Sequence, residues 1–168
     1  SSKSSWEAYP TGQNEVLRLT QSQVGYSYRA VVSYIDSHGT REVLYTSPSE
    51  TIDNLDDPVQ GEVTIIGEPK EGVTLRALSN SLSDEDGIAS ISISWETSKD
   101  GRNWLGVNSL SGPVLSLGQS LVGSQVRARV AVVDNFGIET NLYSQATRTV
   151  ENVNNKPSGR IVIRRVGQ

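Results

Sequence analysis

The stretch Val122-Gly123-Ser124-Gln125-Val126-Arg127-Ala128-Arg129-Val130-Ala131-Val132-Val133-Asp134 alternates apolar and polar side chains, with Val126, Ala128, Val130 and Val132 on one side and Arg127 and Arg129 on the other. A period of two is the signature of a half-buried β-strand. The stretch has a counterpart 98 positions earlier, Val24-Gly25-Tyr26-Ser27-Tyr28-Arg29-Ala30-Val31-Val32-Ser33-Tyr34-Ile35-Asp36, which places Tyr28, Ala30, Val32 and Tyr34 on the inward side. Without a gap, residues 6–70 align on residues 104–168 with 19 identities in 65 pairs. These include Trp6 with Trp104, Leu17 and Leu19 with Leu115 and Leu117, Arg29-Ala30 with Arg127-Ala128, Asp36 with Asp134, Gly39 with Gly137, and Leu44-Tyr45 with Leu142-Tyr143. The chain is an internal repeat, and the repeated positions are those of strands and turns.

Working outward, Val63 and Ile65, then Val73, Leu75 and Ala77, then Ile91, Ile93 and Trp95 keep the same period, with Ser92, Ser94 and Glu96 directed to solvent. Gly67-Glu68-Pro69, Asp84-Glu85-Asp86-Gly87, Asp100-Gly101, Ser111-Gly112-Pro113 and Asn135-Phe136-Gly137 punctuate short strands. No stretch has helical periodicity, so the fold class is all-β. A period of 98 residues matches an immunoglobulin-like β-sandwich of about 100 residues. The Pro and short polar residues after Asn54 and Asn152 mark joints. The expected organisation is the C-terminal half of one repeat (1–53), a linker (54–60), one complete repeat (61–151), and a linker with the first strand of a further repeat (152–168). Because the first half-repeat lacks the strands equivalent to Val63–Trp95, it is expected to be poorly ordered or completed by strands from a second copy of the chain.

Composition narrows the function. The 168 residues carry a net charge of −4 from 15 Lys and Arg against 19 Asp and Glu, so nucleic acid is not an expected partner. No apolar run approaches the roughly 20 residues that cross a bilayer, and Ser1–Ser5 has no signal-peptide character, so the chain reads as an internal section with no membrane insertion. Zero Cys and one His remove thiolate chemistry and nearly all imidazole chemistry. His38 corresponds to Phe136 in the second copy, and a position that accepts Phe is not a proton shuttle. No Gly-x-Ser-x-Gly motif occurs. The chain is not expected to be an enzyme.

The run from Ile93-Ser94-Trp95 through Ser98-Lys99-Asp100-Gly101 to Trp104, followed by Val122-Gly123 and a strand, together with Gly61-Glu62-Val63 and Asp84-Glu85-Asp86-Gly87, resembles the tandem immunoglobulin-like (cadherin-like) repeats of large secreted bacterial surface adhesins of the biofilm-associated type. The resemblance implies an extracellular or cell-surface location and a spacer role in attachment or biofilm formation. It also implies neighbouring repeats of the same chain as partners and stiffening by calcium. In an immunoglobulin topology the incoming linker, the loop bearing Asp84 and Asp86, and the end of the strand bearing Asp134 share one pole of the sandwich. Asp56, Asp57, Asp84, Asp86 and Asp134 would converge there with no Lys or Arg among them. Calcium, a hard cation taking six to eight oxygens, suits such a set. Asp and Asn also cap turns with no ion present. The competing function is a carbohydrate-binding accessory module of a secreted enzyme, for which Trp104, Tyr143 and Phe136 are the ring candidates.

Overall fold

The computed structural model describes residues 5–9 and 16–164, the side chains of 108–110 excepted. The chain divides into two units, Ser1–Asp56 and Asp57–Gln168. Among the described residues the regular structure is β, with one 3-10 turn in each unit, at Gln21–Gln23 and at Gln119–Leu121, again 98 residues apart. No helix among the described residues is long and apolar enough to cross a membrane.

The second unit is a sandwich-like pair of antiparallel sheets. Strands β3 (Thr64–Ile66), β4 (Thr74–Leu78) and β7 (Val114–Ser116) form one, in the order β3-β4-β7. Strands β5 (Ile88–Ser98), β6 (Leu105–Ser111), β8 (Gln125–Asp134) and β9 (Glu139–Tyr143) form the other, in the order β6-β5-β8-β9. The alternation of β8 buries Val126, Ala128, Val130 and Val132 in one core with Val63, Leu75, Ala77, Trp95, Leu115, Leu117, Leu121 and Val150. Trp95 lies beside Ala128 across the β5–β8 ladder, where the small side chain leaves room for an indole. It is 1% exposed, and its Nε1 donates to the Gly112 carbonyl at 3.0 Å, so its one polar group is satisfied inside the core. Ile91, expected inward, stays 41% exposed. It lies in the first half of the eleven-residue β5, which is longer than the three- to five-residue strands of the other sheet.

The first unit has the hairpin β1 (Val31–Ile35) and β2 (Arg41–Tyr45), in the register of β8 and β9. Its inward-reading residues are not covered: Ala30, Val32 and Tyr34 are exposed, and Tyr28 is half-buried. The strands that bury their counterparts in the second unit have no equivalent among the described residues here, which is the physical reason. The turn is built identically in both units. Asp36 Oδ1 accepts from the amides of His38 and Thr40, and Asp134 Oδ1 from those of Phe136 and Ile138, all at 2.8 Å. Gly39 and Gly137 follow with φ of 82° and 89°, a region that disfavours any side chain. The expected first strand of a further repeat runs out of the described residues after Arg164. Up to that point it pairs with nothing in regular structure, and Ile161 and Ile163 are each 94% exposed.

Candidate metal centre

Three of the five aspartates singled out by sequence come together. One carboxylate oxygen each of Asp56, Asp86 and Asp134 lies within 4.8 Å of the other two. Asp134 is the last residue of β8 and is buried by it; Asp86 sits in the loop that leads into β5; Asp56 directly precedes Asp57, where the second unit begins. The loops of Asp86 and Asp134 meet at Gly87, at φ 78°, where an added Cβ would displace the movable end of the Asn135 side chain.

Asp86 is 4% exposed. Its Oδ2 accepts from the Asp57 amide at 3.3 Å, while its Oδ1 is buried with no hydrogen-bond partner. A buried polar atom without a partner costs free energy, and a charged one more. A cation would satisfy it, as would a bound water. Calcium binds oxygens at about 2.3–2.6 Å, so two ligands on opposite sides of one ion stand about 4.6–5.2 Å apart. The three oxygens lie within that upper span of one another, and the all-oxygen donor set fits a hard ion. Exposed acidic groups also cluster without ions, so the distinguishing feature is the orphaned oxygen rather than the count of carboxylates.

The other two predicted ligands are placed differently. Asp84 Oδ1 accepts from the Asp86 amide at 2.8 Å, an Asx turn that shapes the loop. Asp57 contributes its amide to Asp86, and its carboxylate is not in the group of three. Asp84 and Asp57 therefore contribute to the loop through these bonds and are not members of the group of three.

A second constellation escaped the sequence reading. The Arg127 guanidinium is sandwiched between the rings of Trp104 and Tyr143, 4.2 and 4.3 Å from their centroids, and is held by Glu96 at 2.7 Å. Its counterpart Arg29 lies between Trp6 and Tyr45, at 4.3 and 4.6 Å. All six residues of the two stacks are repeat identities, which was the available signal. The Trp104 ring offered as a sugar platform is half-buried and stacked on Arg127. Phe136 and Tyr143 are about half exposed.

No protein-family profile matches the chain, and no curated protein or solved structure matches it.

Proposed function

We propose that the chain is a section of an extracellular tandem-repeat stalk, a spacer of the bacterial surface-adhesin kind built from immunoglobulin-like sandwiches, with calcium at Asp56, Asp86 and Asp134. The observation that carries the spacer reading is the recurrence, at one 98-residue interval, of strand, turn and stacking residues and of no reactive set. The strand order β3-β4-β7 and β6-β5-β8-β9 supports the immunoglobulin-like assignment, since it keeps the third, sixth and seventh strands of that fold in one sheet. Calcium would tie the incoming linker, through Asp56, to the buried carboxylates at the pole of the complete repeat. A repeat that holds its linker transmits extension, and that is the physical requirement of a stalk. The orphaned Asp86 Oδ1 supports the ion.

Calorimetric titration with calcium, paired with thermal melts, tests the proposal. Calcium at a hundred times its Kd stabilises the folded state by about 2.7 kcal/mol, which for a domain of this size raises the melting temperature on the order of 10 °C. Chelator should reverse the shift. Asp56→Asn, at an exposed residue, should weaken it without unfolding the protein. Absence of binding heat would leave Asp84, Asp86 and Asp134 as turn residues only. A glycan screen tests the spacer reading separately: soluble glycans should not bind, and binding lost on Trp104→Ala would favour the carbohydrate module instead.

A further inference from the structure

The repeat shows what β1 lacks. Residues 31–35 correspond to 129–133 of β8, which is flanked by β5 on one side and β9 on the other. Among the described residues β1 pairs only with β2, the counterpart of β9, so its open edge is the one that β5 occupies in the complete repeat. The backbone groups on that edge are identifiable. Ala30 bonds toward β2 through both its amide and its carbonyl, and the Asp36 amide bonds to Thr40. Alternation then directs the amides and carbonyls of Arg29, Val31, Ser33 and Ile35 to the open edge.

The side chains repeat the message. Val32 is 54% exposed where Val130 is wholly buried. Arg29 has both rings of its stack, as Arg127 does, yet among the described residues it has no counterpart of Glu96. In the complete repeat Glu96 pairs with Arg127 and Trp95 with Ala128 across the ladder. The same two positions, Arg29 and Ala30, stand immediately before β1 in the same order.

We propose that the open edge of β1 takes an added antiparallel strand of β5 chemistry: apolar residues alternating with hydroxyl residues, a tryptophan opposite Ala30 and a carboxylate opposite Arg29. Pairing with β1 of a second copy does not meet this requirement. Val31–Ile35 has no acidic residue, and the adjoining Asp36 already holds the turn. Strand addition supplies the missing ladder through main-chain bonds, and the exposed Val32 face and the Arg29 guanidinium supply selectivity.

The test is a titration of the isotope-labelled full chain with a synthetic peptide of residues 86–100, followed by amide shifts and hydrogen exchange. The chain's own β5 already fills the edge of β8, so the complete repeat should be silent. Saturable shifts and slowed exchange are expected at Arg29, Val31, Ser33 and Ile35. Glu96→Gln in the peptide should weaken binding about tenfold, the range for loss of a charge-assisted bond. Ser33→Pro in the protein removes an amide that faces the open edge and leaves the bonds to β2 intact, so it should abolish binding. The proposal is overturned by no saturable change at millimolar peptide, by binding indifferent to Glu96→Gln, or by binding that survives Ser33→Pro. Self-association in sedimentation that the peptide does not displace also overturns it, since a second copy would then be the occupant.

Discussion

Trp95 and His38 mark the two ends of what a single side chain contributes here. The indole is buried on all sides, hydrogen-bonded to Gly112, and packed beside Ala128. His38 sits in the exposed turn after β1, where its amide donates to Asp36 and its ring meets only the neighbouring exposed Ser37 hydroxyl, at 3.3 Å. Trp95→Ala should therefore cost about 3–5 kcal/mol and His38→Ala at most about 0.5 kcal/mol. Urea melts of the two variants check this, and coincident midpoints would remove Trp95 from the core. The place of Trp95 was legible because alternation along one strand decides which face is buried. The stacks of Arg29 and Arg127 were not, because their members come from strands and turns far apart in sequence. A cation between two rings leaves no periodic trace, and only the joint recurrence of Trp, Arg and Tyr pointed to it.

At the scale of the element, the connection from β5 to β6 has a single organiser. The Asp100 carboxylate accepts from the amides of Asn103 and Arg102, from the Asn103 side chain and from the Ser98 hydroxyl. The Asn103 amide foremost, then the Arg102 amide and the two side chains, hold its pKa well below the usual carboxylate range. A carboxyl group whose pKa is lowered by folding stabilises the fold above its unfolded value, about 3.9, and loses that contribution as pH falls toward the folded value. Wild type should therefore exceed Asp100→Asn in melting temperature at pH 7, and the difference should shrink as pH falls below about 4. A constant difference across that range would detach the turn from the ionised carboxylate. The turn itself was legible from Ser98-Lys99-Asp100-Gly101. The acidic pole was legible only in part, because an aspartate in a loop serves a local amide or a distant ion with the same side chain. Local bonding holds Asp84 at the Asp86 amide, whereas Asp86 and Asp134, 48 positions apart in sequence, come into range only through the tertiary fold.

For the molecule as a whole, the repeat makes one measurement its own control. Val31, Ser33 and Ile35 occupy the positions of Arg129, Ala131 and Val133 and share their turn, yet among the described residues the first set lies on an open edge and the second inside a four-stranded sheet. An isolated two-stranded hairpin is marginal in water, whereas a domain with a closed core is stable by about 5–15 kcal/mol. Amides on an open edge exchange by local fluctuation, and those inside a sheet require opening of the core. Hydrogen exchange of the full chain should therefore protect Arg129, Ala131 and Val133 by orders of magnitude over Val31, Ser33 and Ile35. The sequence difference across the 98-residue shift cannot produce such a gap, because valine and isoleucine, which predominate on the open edge, slow intrinsic exchange. Equal protection in the two sets would mean that β1 is already covered and that the first unit is as complete as the second.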